Sequence, residues 1–135
     1  MTLFACDSSV QIISSVKQTI IPGLRTEKSY SKYLIEVELT SHEKLVVDSV
    51  VVFEEVRKCR KASLSTMDRS NNKLLVTNET FARKFTIEAT VKDDSLELSN
   101  NCSGDSNTLI LYYTENGKSK KVEISTFKEE TVRKR

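Results

Sequence analysis

Three cysteines and a single histidine are the side chains best suited to nucleophilic or metal chemistry, and they are scattered along the chain. His42 lies in the polar segment Thr40-Ser41-His42-Glu43-Lys44, whose composition is typical of a turn. A zinc site needs Cys and His ligands at short spacings, and proton transfer by the commonest route needs a positioned base. We therefore predict no catalytic residue, no metal site and no cofactor, and we interpret His42 as a surface residue.

Two other kinds of ligand site are also disfavoured. Asp93, Asp94 and Asp105 could be imagined around a calcium ion, but their spacing matches no calcium-binding loop, so we interpret them as solvated turn acids. The glycines at positions 23, 104 and 117 are isolated and none opens a recognisable helix. This excludes nucleotide binding through a Gly-rich phosphate loop.

The basic run Arg57-Lys58-Cys59-Arg60-Lys61 raises the question of nucleic-acid binding. On a strand its side chains alternate between the two faces, which breaks up the patch, and lysine at a strand edge also discourages edge-to-edge pairing. The 21 basic and 19 acidic residues give a formal net charge of only +2. We predict no nucleic-acid partner, because such proteins carry a strong basic excess on one face.

The elements that must position these residues are predicted by alternation of apolar and polar side chains. SYSKYLIEVEL places Tyr33, Ile35, Val37 and Leu39 on one face, and FARKFTIEATVKDD does the same with Phe85, Ile87, Ala89 and Val91 after Phe81. Both patterns indicate strands with one buried side. Further strands are predicted in the following segments: Val10 to Ile21 before the turn Pro22-Gly23, KLVVDSVVVFEEV, Cys59 to Leu64, KLLVT, and Leu96 to Leu98.

Two short features refine this prediction. Asp48-Ser49 interrupts the apolar run of KLVVDSVVVFEEV and marks a bulge or an edge in what is otherwise a central strand. Asn116-Gly117 separates the runs NTLILYYTE and KSKKVEISTF. Asn-Gly is the strongest short-range hairpin signal because both residues accept the positive φ of a type I′ turn.

Seven to nine short strands with turn residues between them, and no long amphipathic helix, predict an all-β fold, an antiparallel immunoglobulin-like β-sandwich. The chain has no tryptophan, which excludes an antibody-type core. A length of 135 residues fits one domain. We divide the chain into a tether at residues 1–9, a sandwich at residues 10–127, and a charged, frayed C-terminal tail at residues 128–135.

Leu3-Phe4-Ala5-Cys6 resembles the lipobox of bacterial lipoproteins, and the polar Asp7-Ser8-Ser9 follows it as a tether would. A basic segment and an apolar segment normally precede a lipobox, and only Met1 to Ala5 precede Cys6 here. We therefore interpret residues 1–9 as a truncated lipobox, the remnant of a signal peptide. No run of 18 apolar residues is present, so membrane association requires an anchor.

The layout of the whole chain is similar to that of small cell-envelope lipoproteins of Bacteroidota, particularly flavobacteria. The shared features are the lipobox cysteine, a first strand, the Ile21-Pro22-Gly23 turn, a Tyr-containing second strand and a late hairpin with an Asn-Gly-Lys turn. The resemblance implies a lipid on Cys6, a location on the periplasmic or surface face of the envelope, and no assigned activity. It also implies O-glycan acceptors at Ser49 in Asp48-Ser49-Val50 and Ser95 in Asp94-Ser95-Leu96.

The compartment decides the state of Cys59 and Cys102, which would be free thiols in a reducing compartment and could form a disulfide in an oxidising one. The leading hypothesis is a non-enzymatic, envelope-tethered binding or structural module. Its partner would be a protein, engaged through strand edges or loops, or an envelope polymer. The alternative is a soluble, secreted or cytoplasmic β-sandwich that binds a ligand such as a glycan.

Overall fold

A computed structural model of the protein describes residues 10–23, 28–40, 45–55, 58–68, 73–74, 79–80, 84–92 and 107–134. Every regular element in these ranges is a β-strand. Nine strands have four or more residues and two have only two: β1 (Val10–Ile21), β2 (Tyr30–Leu39), β3 (Leu45–Glu55), β4 (Lys58–Lys61), β5 (Ser63–Asp68), β6 (Lys73–Leu74), β7 (Glu79–Thr80), β8 (Lys84–Val91), β9 (Thr108–Glu115), β10 (Lys118–Ile124) and β11 (Lys128–Arg133).

The strands form two sheets, and their order confirms the predicted sandwich. The first sheet has the order β11-β1-β2-β8-β5-β6, and the second has the order β10-β9-β3-β4, with β7 also paired to β3. In an immunoglobulin-like sandwich, strands A-B-E-D form one sheet and strands G-F-C-C′ form the other. The places of A-B-E-D are taken here by β1-β2-β8-β5, and those of G-F-C-C′ by β10-β9-β3-β4. All pairings are antiparallel except that of β1 with β11.

The core lies between the two sheets and is built by alternate residues of their central strands. The four inward residues predicted for β2 and the four predicted for β8 are all buried. The second sheet supplies the facing layer from β3 and β9: Val47, Val50, Val52, Leu109, Leu111 and Tyr113. Removal of this apolar surface from water is the main favourable contribution to folding.

A β-bulge in β3 lets the apolar side chains of both halves of the strand point to the same face of the sheet. The register with β9 shifts between Val47 and Ser49, so the interruption at Asp48-Ser49 is a bulge within a paired strand. Val47 and Val50 are both buried, although they are three positions apart. Without the extra residue, strict alternation would turn the second half of β3 away from the core.

The prediction of one strand from Cys59 to Leu64 is wrong, because the chain changes sheets within it. β4 pairs with β3 in the second sheet, and β5 pairs with β8 in the first. Ala62 lies between them, is buried, and its amide donates to the carbonyl oxygen of Val50 at 2.9 Å. Of the predicted strand KLLVT, the structure describes Lys73–Leu74, which form β6. The rest of KLLVT, Phe81 and the predicted strand at Leu96 to Leu98 lie outside the described residues.

The predicted hairpin between β9 and β10 is confirmed. Glu115 pairs with Lys118 in the register, which leaves a two-residue loop of Asn116 and Gly117. Their φ angles are 51° and 76°. These values match the two positive φ angles that define a type I′ turn.

The segment predicted as a frayed tail is a strand in the structure. Residues Lys128–Arg133 form β11, which lies parallel to β1 from Val16 to Ile21. Five of its six side chains are exposed, so the charged pattern was correctly interpreted as solvated, but the backbone is paired. Phe127 holds the start of β11 against the core through an edge-to-face contact with Tyr33, with ring centroids 5.3 Å apart.

No helix in the described part of the chain has the length and apolar character needed to cross a bilayer.

Replacement of Gly117 by alanine should lower the free energy of unfolding by about 1–2 kcal/mol, the cost of placing a residue with a Cβ in the left-handed region. Outside residues 116–118, a Cβ at this position would have no heavy atom within 4 Å, so the cost comes from the backbone conformation alone. Urea denaturation measures the change. The control is Lys118→Ala at the adjacent exposed position, which should have little effect; equal stability of both variants would contradict the type I′ turn.

Deletion of residues 128–135 should expose alternate amides of β1 to hydrogen exchange. The amide of Lys134 donates to the carbonyl oxygen of Ile21 at 2.9 Å, so the backbone groups of Ile21 point toward β11. Because polar groups of alternate residues point to the same side of a strand, the amides of Lys17 and Thr19 point there too. These amides should exchange faster after the deletion, while those of Val16 and Gln18, which face β2, keep their protection. Equal protection in the full-length and shortened chains would contradict the pairing of β11.

Candidate functional site

The structure describes one of the two predicted glycan acceptors. Ser49 lies in the β3 bulge, is half-buried, and is paired in the register with Tyr112 of β9. The adjacent Asp48 is exposed, and its Oδ2 accepts a hydrogen bond of 2.7 Å from Thr114 Oγ1. Asp48 therefore helps to fix the bulge, and the modification of Ser49 stays a prediction. Ser95 lies outside the described residues.

Most of the other predicted site residues also lie outside the described residues: Cys6, His42, Asp93, Asp94, Cys102 and Asp105. Cys59 lies in β4, but its proposed partner Cys102 is among those residues, so the disulfide stays a prediction. The described part of the chain contains no group of three or more His, Cys, Asp or Glu side chains that could hold a metal ion.

The described part of the basic run has a structural contact. Arg60 in β4 reaches across to the first sheet, where its Nη1 donates to the carbonyl oxygen of Lys92 at 2.9 Å. Lys61 is exposed, and Arg57 lies outside the described residues. Arg60 thus links the two sheets at the point where β8 ends.

Two lysine side chains lie near the ring of Tyr30 at the same end of the sandwich. The Nζ atoms of Lys92 and Lys134 lie 4.9 Å and 5.9 Å from the centroid of its ring. Lys134 Nζ also donates to the hydroxyl of Tyr30 at 3.2 Å. The hydrogen bond of Lys134 joins the residue after β11 to the start of β2. The cation–π contact of Lys92 joins the end of β8 to the same residue.

A second feature is a recess where the chain crosses from β10 in one sheet to β11 in the other. We call it the crossover cleft. It has a volume of about 250 Å³. Its described walls come from β1, the residue before β9, the crossing segment and β11: Lys17, Asn107, Ser125, Thr126, Phe127 and Glu129.

Three contacts hold the walls of the crossover cleft in place. Ser15 Oγ donates to the carbonyl oxygen of Thr126 at 2.7 Å, which fixes the crossing segment to β1. Phe127 packs against Tyr33, a fully buried core residue. On the opposite wall, the amide of Asn107 donates to the carbonyl oxygen of Phe53 at 2.6 Å, and Asn107 has a φ of 62°, which asparagine tolerates better than most residues.

The charges of the crossover cleft are opposite and adjacent. Lys17 of β1 and Glu129 of β11 are direct partners in the parallel register. Lys17 Nζ also lies 5.8 Å from the centroid of the Tyr33 ring. Lys17 is half-buried and Glu129 is exposed. The cleft therefore offers a cation and a carboxylate together, with little net charge.

The remaining polar groups in the described lining of the crossover cleft are uncharged. Asn107 offers a side-chain carbonyl and an NH₂ group, and Ser125 and Thr126 each offer a hydroxyl that can donate or accept. This set suits recognition by hydrogen bonds. Among the described residues, the cleft lining contains no histidine or cysteine to act as a base or nucleophile.

Sequence reasoning did not find the crossover cleft because its residues come from three distant segments. Only the pairing of β11 with β1 brings Glu129 next to Lys17, and the exposed side chains of β11 carry no alternation that would predict this pairing. The one local signal is the polar pair Ser125-Thr126 followed by Phe127, which interrupts the strand pattern after Ile124.

Comparison of the chain with protein-family models, with curated proteins and with solved structures finds no match.

Proposed function

We propose that the protein is a non-enzymatic binding module, tethered to the bacterial cell envelope by a lipid on Cys6. The observation that carries the binding role is the crossover cleft, a recess with fixed walls and a mixed set of hydrogen-bonding side chains. The immunoglobulin-like sandwich supports the same role, since such folds present binding loops and strand edges on a rigid scaffold.

The geometry of the sandwich is compatible with attachment through residues 1–9. β1 begins at Val10, which pairs with Leu39 at the end of β2. The short connection from Leu39 to Leu45 and the pairing of Leu45 with Glu115 place the Asn116-Gly117 hairpin at this same end. A lipid on Cys6 would bring this end, which we call the attachment end, close to the membrane.

The crossover cleft lies away from the attachment end. Asn107 precedes the start of β9, and Ser125 follows the end of β10, both at the opposite end of their hairpin from Asn116. Lys17 lies seven residues beyond Val10, roughly 23 Å along an extended strand. A lipid-anchored protein would therefore hold the cleft clear of the bilayer and open to an envelope polymer or a protein partner.

The second candidate is a soluble β-sandwich, secreted or cytoplasmic, that binds a ligand such as a glycan. The same cleft favours it, because the described contacts that form the cleft join strands of the sandwich to the crossing segment. The two candidates differ in the role of Cys6 and in the compartment, which also decides whether Cys59 and Cys102 are oxidised.

Replacement of Cys6 by serine in the gene as it stands in its genome should move the protein from the membrane fraction to the soluble fraction. One acyl chain binds a membrane only marginally, so stable attachment requires the several chains of a bacterial lipoprotein, and all of them depend on this cysteine. Fractionation followed by immunoblotting measures the distribution.

The matched control is Cys59→Ser, which also removes a thiol but leaves residues 1–9 intact and should stay in the membrane fraction. Unchanged membrane recovery of the Cys6→Ser variant, or a wild-type protein that is already soluble, would contradict the anchor and favour the soluble candidate.

A further inference from the structure

We propose that the crossover cleft binds one pyranose unit of an uncharged saccharide. This inference rests on the proposed role of the protein as a binding module and names the ligand class of that site, but it does not depend on the lipid anchor. It follows from the charge, the hydrogen-bonding groups, the aromatic wall and the size of the cleft.

The charges of the cleft disfavour an ionic ligand. Lys17 and Glu129 are register partners across β1 and β11, so the described lining of the cleft carries one charge of each sign, side by side. An anion would meet the carboxylate of Glu129, and a cation would meet the ammonium group of Lys17. Each charge of a free amino acid would lie beside a side chain of like sign as well as one of opposite sign. An uncharged ligand avoids these costs.

The hydrogen-bonding groups match a ligand rich in hydroxyls. Lys17 only donates, Glu129 only accepts, and Asn107, Ser125 and Thr126 do both. A sugar hydroxyl also donates and accepts, so each of these side chains can form a hydrogen bond with a hydroxyl in either orientation. Hydrogen bonds to the charged groups are the stronger ones, and the cleft supplies one charged donor and one charged acceptor.

Phe127 gives the cleft an apolar wall. The ring is half-buried, and its contact with Tyr33 is edge-to-face at an interplanar angle of 65°. Its position in the lining leaves apolar surface for the C–H groups of a pyranose ring. An aromatic surface beside several hydroxyl, amide and charged groups suits a ligand that is itself apolar on its ring face and polar at its rim.

The size and rigidity of the cleft fit a single unit of a longer chain. A volume of about 250 Å³ is below the range of roughly 300–1,000 Å³ that holds a drug-sized ligand. The cleft is open on one side, so neighbouring units of a polymer can continue into solvent. Its walls are fixed by the Ser15–Thr126 bond and the Tyr33–Phe127 contact, which lowers the ordering cost of binding.

The experiment is a titration of the ¹⁵N-labelled full chain, produced without lipid, with glucose, N-acetylglucosamine and mannose, followed by amide chemical shifts. We expect saturable shifts in the millimolar range for at least one sugar, confined to the cleft residues and their neighbours. Parallel titrations with inorganic phosphate, glycine and lysine test the ionic alternatives.

The test variant is Ser125→Ala with Thr126→Val, which removes two exposed hydroxyls and leaves the backbone contacts of Thr126 intact. It should bind the sugar about tenfold more weakly, since two hydrogen bonds are lost. The matched control is Thr131→Val, the same threonine change at an exposed position of β11 that is not in the described lining of the cleft, and it should bind like the wild type.

Several results would overturn the proposal: no saturable shift with any sugar, shifts that lie outside the cleft, equal binding by the test variant and the wild type, or stronger binding of phosphate, glycine or lysine. The spectra also show whether each variant is folded. Because the titrated chain carries no lipid, a negative result leaves the Cys6 anchor standing, and failure of the anchor in fractionation leaves sugar binding standing.

Discussion

The structure depends on burying alternate side chains of two sheets against each other. Tyr33, Ile35, Phe85 and Ile87 of one sheet are almost completely inaccessible to solvent, as are the facing residues of β3 and β9. This requirement explains the irregular features of the chain. The bulge at Asp48-Ser49 restores the inward face of β3, and buried Ala62 lets the chain leave one sheet for the other. Phe127 covers the core where the chain makes the same crossing a second time, from β10 to β11.

Features coded by neighbouring residues were predictable from the sequence. The inward faces of β2 and β8 follow from a period of two, because each strand has one buried and one wetter side. The hairpin follows from Asn116-Gly117, since few dipeptides accept two positive φ angles. The break in the apolar run at Asp48-Ser49 also indicated where β3 is irregular. These signals were sufficient for the fold class.

Features that depend on distant partners were not predictable. The change of sheets at Ala62 looks like continued alternation, since Lys61 and Ser63 are exposed on either side of it. β11 has charged, exposed side chains and is held by its backbone, so its sequence is typical of a solvated end. The crossover cleft exists only because of that pairing, and three distant segments meet there. No local pattern encodes such a juxtaposition.

The parallel pairing of β1 and β11 has a mechanical consequence. Val10 lies at one end of the sandwich and Arg133 at the other, so a pull applied between them runs along both strands in opposite senses. In this shear geometry the ladder from Val16–Lys128 to Ile21–Arg133 bears the load across all its hydrogen bonds together, whereas peeling would break them one after another. Tension applied between the first strand and the last therefore loads the parallel ladder in shear and not by peeling.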